Sequence, residues 1–184
     1  MIRRGVRLGV DVGEVRVGLA ASDPDGILAT PVATVSREPN APTQEGATTP
    51  EDVRLIVDQA RDRNVLEVVV GLPTSMNGTE GLAAARARRY AAWLHRNLDG
   101  ITVRLWDERL TTVDAHRRLT ASGVPGRRQR QSVDQAAAVL ILQAALDAER
   151  STGTPGGEVV GGRKPRKPRT KNSTKEGNRE PTSR

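Results

Sequence analysis

The chain of 184 residues contains no cysteine and no phenylalanine. Without cysteine, a disulfide framework and a thiolate zinc site are both excluded. Two histidines, His95 and His116, are too few for a histidine-rich metal centre, and both read as surface residues rather than catalysts. Aromatic residues are limited to Tyr90, Trp93 and Trp106. Proteins that stack single-stranded bases on aromatic platforms carry more of them, so any nucleic acid is expected to be held by its backbone. No apolar run approaches the roughly 20 residues that span a bilayer. The opening Met1-Ile2-Arg3-Arg4-Gly5 leads into polar sequence and not into an apolar signal core. A cytoplasmic protein with no membrane association is the expectation.

Lysine is also missing from residues 1–150; Lys164, Lys167, Lys171 and Lys175 all lie beyond them. Residues 151–184 hold 9 Lys/Arg against 3 Asp/Glu, while residues 1–150 hold 20 against 19, so most of the net charge of +7 belongs to the C-terminal segment. That segment is rich in Pro, Gly, Ser and Thr and poor in large apolar residues. It reads as a disordered basic tail after a single domain over residues 1–150. The tail is either an arm that grips RNA or DNA through salt-sensitive phosphate contacts or a solubilising extension with no partner.

Residues 7–12 and 16–22 read as strands joined by a tight turn at Gly13-Glu14. Residues 27–35 read as a third strand, placed at an edge by Pro31. Residues 38–49 look like a loop. A helix is expected from Thr49, with Pro50 at its first position and Val53, Ile56, Val57 and Ala60 on its apolar face. Glu67–Val70 reads as a short buried strand ending at Gly71, followed by a turn-rich loop. Ala83, Ala87, Tyr90, Ala91, Leu94 and Leu98 trace one face of the next helix, and Ile101–Trp106 reads as another strand. A short helix over about 112–121 and a basic loop over 122–131 precede the last helix. Ser132 and Gln135 form a capping box there, and Val133, Ala136, Ala137, Leu140, Ile141 and Ala144 form its apolar face. Opening hairpins followed by strands alternating with helices indicate an α/β protein with a mixed sheet.

Three acids stand out against this background. Asp11 lies among apolar residues and glycine in Arg7-Leu8-Gly9-Val10-Asp11-Val12-Gly13, where a carboxylate is costly unless it is paired or binds a metal. Glu108 follows a strand in Trp106-Asp107-Glu108-Arg109. Asp134, in Ser132-Val133-Asp134-Gln135, falls in the first turn of the last helix. Each has an ordinary explanation. Asp11 can accept from main-chain donors at the turn, Glu108 can pair with Arg109 or a neighbour, and Asp134 suits a helix N-terminus. Together they are candidate catalytic residues and candidate ligands for Mg²⁺ or Mn²⁺, which hard carboxylate oxygens bind. Two such ions about 4 Å apart can activate water and stabilise the leaving oxygen in phosphodiester cleavage.

Arg16, Arg109, Arg127, Arg128 and Arg130 are candidate nucleic-acid contacts, because guanidinium forks match phosphate geometry. The plainer reading of 127–130 is a solvated basic loop. Asp107, expected on the opposite sheet face from Glu108, and Asp114, in a helix's first turn, read as structural. Asp11-x-Gly13 followed by Gly18 is also a weak phosphate-loop pattern. A similar hairpin opens actin-like ATPases and sugar kinases, which need a second similar domain that 184 residues cannot hold.

Four segments carry a family resemblance. They are Gly9-Val10-Asp11-Val12-Gly13-Glu14-Val15-Arg16-Val17-Gly18-Leu19-Ala20-Ala21-Ser22-Asp23; Val70-Gly71-Leu72-Pro73 with Asn77-Gly78-Thr79-Glu80-Gly81; Asp107-Glu108-Arg109-Leu110-Thr111-Thr112; and Val133-Asp134-Gln135-Ala136-Ala137-Ala138. In this order, over about residues 5–149, they resemble the YqgF/RuvX family of Holliday-junction-resolvase-like proteins, also described as pre-16S rRNA nucleases. The resemblance implies an RNase H-like fold with a five-stranded mixed sheet, and an acidic triad at Asp11, Glu108 and Asp134. It implies a cytoplasmic role in ribosome biogenesis, maturing the 5′ end of the small-subunit rRNA precursor. Stretch 38–48 is longer than the family leads one to expect, and the tail lies outside the resemblance.

The expectation is thus a metal-dependent nuclease acting on structured RNA, with ribosomal particles as possible company and a monomer or weak dimer as its state. One alternative is a resolvase of branched DNA, which would need two active sites and hence a dimer. Another is a non-catalytic nucleic-acid-binding module in transcription or ribosome assembly.

Overall fold

The computed structural model describes residues 3–38, 48–111 and 127–162, with residues 127–133 as main chain only. β1 (Arg7–Val12) and β2 (Arg16–Ser22) form an antiparallel hairpin in which Asp11 stands opposite Gly18. β3 (Ala29–Ser36) pairs antiparallel with β2 at the sheet edge, and the register slips between Leu19 and Ala20, next to the Ala20–Pro31 pair. Proline has no N–H for a ladder, so an edge strand with a bulge accommodates it.

Two crossovers build the parallel part of the sheet. α1 (Glu51–Asp62) leads to β4 (Glu67–Leu72) beside β1, and α2 (Leu82–Asn97) leads to β5 (Thr102–Asp107) beside β4. Every residue of β4 is buried, as expected for a strand covered on both faces. A 3-10 turn, Glu108–Leu110, follows β5. α3 (Arg127–Thr152) and the two-residue β6 (Glu158–Val159) complete the described chain. The order is β3-β2-β1-β4-β5-β6. This is the expected α/β architecture with a mixed sheet, holding six strands where five were implied. The sixth, β6, pairs antiparallel with β5. It is reached through Gly157 at φ +85, where a side chain would strike the Leu105 carbonyl.

Side-chain alternation along the strands divides the core into two layers. Leu8, Val10, Val17, Leu19, Val68, Val70, Val103 and Leu105 pack under α1 and α2. The opposite face is lined with small residues, and there Ala20, Val69 and Trp106 meet Ala138, Ile141, Leu142 and Leu146 of α3. At the N-terminal ends of β1 and β4, fully buried Arg7 lies 3.2 Å from Glu149 of α3. Arg3 bridges Glu149 and Glu67 at 2.8 and 2.7 Å, and Arg104 reaches Glu67 at 3.0 Å.

Several boundaries differ from the sequence reading. Thr49 does not cap α1; its hydroxyl donates to Asn97 Oδ1 at 3.0 Å, and Pro50 takes the cap position. Ala83 is exposed and Ala84 takes the inward place on α2. α3 starts at Arg127, so part of the expected 122–131 loop is helix. Arginine and glutamine are good helix formers, and Ser132 with Gln135 therefore lies inside the helix and not at its cap. The buried stripe of α3 runs through Ala138, Ile141, Leu142, Leu146 and Glu149, while Ala136, Ala137 and Ala144 are half-buried.

α3 and β6 also carry structure past residue 150, into the span assigned to the tail, because the free edge of β5 takes a further strand. The expected helix over 112–121, the bulk of the 38–49 loop, Asp114, His116 and residues 163–184 lie outside the described residues. Among the described residues, no helix is long and apolar enough to cross a membrane.

Candidate active site

β1, β4 and β5 run parallel, so their C-terminal ends lie side by side. Asp11 is the penultimate residue of β1. Its neighbours on both adjoining strands lack side chains. Gly18 faces it on β2, and Gly71 on β4 lies one step past the Val10–Val70 pair. Both glycines share the sheet face of Asp11, the face that α3 covers.

These two glycines set how close the other acids come. A side chain on Gly18 would run into the main-chain carbonyl of Asp134, so α3 crosses the sheet directly over Gly18. A Cβ on Gly71 would lie 2.6 Å from Glu108 Oε1 and 2.6 Å from Ile141 Cδ1. The Glu108 carboxylate thus occupies space above β4, next to Asp11. All three acids are half-buried.

The electrostatics follow from this crowding. Burial, then the negative charges of Asp11 and Asp107, push the Glu108 carboxyl up to about 7. Asp134 Oδ2 is buried and makes no hydrogen bond; Arg16 Nη1 lies 3.7 Å away. Among the described residues, no three acids or histidines are grouped closely enough to hold a metal ion as placed. Asp11 and Glu108 feel each other's charge, and Asp134 stands across Gly18 from Asp11. Asp134 is the eighth residue of α3 and not in its first turn, so the helix N-terminus does not account for it.

Asp107 serves the turn that aims Glu108. Its carboxylate accepts from the Arg109 main-chain N–H at 3.0 Å, from Arg109 Nε at 3.0 Å and Nη2 at 2.5 Å, and from the Thr74 hydroxyl at 2.9 Å. The Arg109 bonds hold the Asp107 carboxyl down at about 2. Arg109 therefore pairs with Asp107 and not with Glu108, and it lies exposed beside the site. The main chain of Arg127, Arg128 and Arg130 is helical. His95 is exposed near the end of α2. The sequence reading missed Gly18 and Gly71 as determinants of the site. The signal was a glycine inside a strand, a common mark of close approach by another group.

The family model for RuvX, described as Holliday junction resolvase, matches residues 5–148, which carry all three acids and every element from β1 to most of α3. The chain belongs to the RuvX family. A RuvX relative from Kineococcus radiotolerans, named "Putative pre-16S rRNA nuclease", is 51% identical over 168 residues, covering 91% of this chain and 85% of its own. One from Rhodococcus opacus with the same name is 52% identical over 162 residues, covering 86% and 85%. A structure titled "T. thermophilus RuvC in complex with Holliday junction substrate" superposes with a TM-score of 0.54 at 15% identity, covering 84% of this chain and 99% of that one. At that identity the likeness speaks for the fold alone, and the RuvX chain has the RNase H-like architecture that the resemblance implied.

Proposed function

We propose that this RuvX chain is a divalent-metal-dependent nuclease, a hydrolase of phosphodiester bonds that processes the 5′ end of pre-16S rRNA during ribosome biogenesis in the cytoplasm. The observation that carries the reading is the pairing of Asp11 with a Glu108 carboxyl pushed up to about 7. Two acids crowded at the end of parallel strands adjoin a third, Asp134, one of whose carboxylate oxygens is buried and makes no hydrogen bond. Oxygen donors in a chain without cysteine suit a hard cation such as Mg²⁺ or Mn²⁺, so the donor chemistry fits the ion, and binding would have to draw the three acids closer than they stand.

Asp11, Glu108 and Asp134 are the residues that would hold it. When bound, the cation supplies Lewis-acid activation of water and stabilisation of the leaving oxygen. The chain's own groups do the rest. Asp11 anchors the site from the sheet. Glu108 would release its proton to solvent water on binding a cation, because a ligating carboxylate must be ionised. Arg16 opens β2 after the β1–β2 turn, where a guanidinium can neutralise a substrate phosphate, and Arg127, Arg128 and Arg130 are proposed as further phosphate contacts from their sequence alone. The relatives' shared name favours pre-16S rRNA as substrate.

The family description favours a second reading, an endonuclease for branched DNA on the same chemistry. Cleavage of a labelled rRNA-precursor 5′ leader and of a four-way DNA junction, each with Mg²⁺ or Mn²⁺, decides between them. Cutting of the RNA that is abolished in Asp11→Asn, with the fold retained, is the expected result. Paired cuts in the junction by a dimeric species would favour the resolvase. Tight binding with no cutting of either substrate would point to a non-catalytic module, or to a need for the ribosomal particle.

A further inference from the structure

We propose that Gly71 is a positioning residue of this site: the space left by its missing side chain seats the Glu108 carboxylate beside Asp11. The inference rests on the reading of Asp11 and Glu108 as metal ligands, and extends it to a residue with no chemistry of its own.

Glu108 is the first residue after β5, in a 3-10 turn that Asp107 caps. That turn directs the Glu108 side chain back across the sheet, where it meets β4. The position it reaches is one where any residue with a Cβ would already be in contact. The ideal Cβ of residue 71 lies 2.6 Å from Glu108 Oε1, closer than real Cβ atoms come to an oxygen. Gly71 stands beside Asp11 through the β1–β4 register, so the emptied space and the first acid adjoin.

The two atoms crowding Gly71 are both ends of flexible side chains, Glu108 Oε1 and Ile141 Cδ1. A methyl group there can be admitted by moving those ends, without displacing main chain. At Gly18 the obstructing atom is the Asp134 carbonyl, and no side-chain adjustment relieves it. Gly18 is thus a packing glycine for α3, whereas substitution at Gly71 acts on two side chains, Glu108 and Ile141.

The test is a mutant cycle read by Mn²⁺ binding, with free Mn²⁺ followed by electron paramagnetic resonance and folding followed by circular dichroism. Gly71→Ala is expected to weaken Mn²⁺ binding roughly tenfold or more, the range for groups that hold metal ligands in place. In a Glu108→Gln background the same substitution should change binding by less than about twofold, because its route of action is gone. Gly71→Ala combined with Ile141→Val relieves the packing half of the conflict, and should regain thermal stability without regaining Mn²⁺ affinity. A crystal structure of Gly71→Ala should place the Glu108 carboxylate off its seat. Equal losses in both backgrounds, or an unmoved Glu108, would overturn the proposal. A wild-type protein that binds no Mn²⁺ would instead overturn the metal reading, and the position of Glu108 in the Gly71→Ala crystal would then decide the seat by itself.

Discussion

Arg16 Nη1 stands 3.7 Å from Asp134 Oδ2, within Coulomb reach and beyond hydrogen-bond length. An arginine held this loosely can turn to a phosphate while still offsetting the carboxylate charge. Arg16→Gln is therefore expected to weaken binding to an rRNA leader about equally for all sequences, and to reduce the slope of log affinity against log salt by roughly 1. Fluorescence anisotropy over about 50–200 mM salt measures both. An unchanged slope would leave Arg16 as a partner of Asp134 alone.

Gly18 tolerates nothing larger than hydrogen, because the Asp134 carbonyl sits where a side chain would begin. Gly18→Ala must push α3 off the sheet or distort β2. Overpacking of this kind typically costs about 1–3 kcal/mol, and contact with main chain places this case at the upper end. Thermal melting should show a drop of several degrees, and Mn²⁺ affinity should fall with it as Asp134 moves. A melting temperature equal to wild type would mean that α3 yields freely at this crossing.

How much of this was legible in sequence varies along the chain. β1 and β2 agree with the reading residue for residue, since a run of alternating apolar residues broken by Gly13-Glu14 leaves little choice. The buried face of α1 was equally plain from Val53, Ile56, Val57 and Ala60. The α3 boundary was not, because a capping-box pattern at Ser132 competes with helix-forming arginines before it, and only the tertiary setting decides. Nor was its buried stripe, where many alanines blur any apolar face. β6 is two residues long and exists only because β5 offers an edge. For the site, Asp11 and Glu108 announced themselves as acids in ordered settings. The approach of Glu108 and of Asp134 to Asp11 runs over two absent side chains, at Gly71 and Gly18, and nothing local in a sequence says which group will fill such a gap.

Glu149 is buried beside fully buried Arg7, with Arg3 closing the far side. Removing one partner of a buried pair leaves the other charge uncompensated, which typically costs about 3–5 kcal/mol. Glu149→Ala should lower stability to urea by that order. The double replacement Arg7→Met with Glu149→Leu should lose much less, because both charges leave together. Equal losses in the two variants would show that packing at the α3–β1 contact, and not charge, holds this end of the sheet.

Glu108 makes stability depend on pH in a direction opposite to that of most carboxylates. Its carboxyl is pushed up to about 7 in the fold, from 4.5 for the unperturbed group. Below the lower value both states are protonated and it contributes nothing. Between the two values the unfolded chain releases the proton while the folded protein retains it, so stability falls as pH rises; above about 7 the full penalty stands. Partial exposure of the side chain screens the effect, leaving about 1–2 kcal/mol. Denaturation in chelator at about pH 5 and about pH 8 should show wild type losing this much relative to Glu108→Gln, which cannot ionise. Adding Mg²⁺ at the higher pH should return the loss to wild type and not to the variant, because an ion that binds only the folded state stabilises it. Parallel pH curves for the two proteins would mean that neither burial nor the charge of Asp11 penalises an ionised Glu108, and would remove the observation on which the metal site rests.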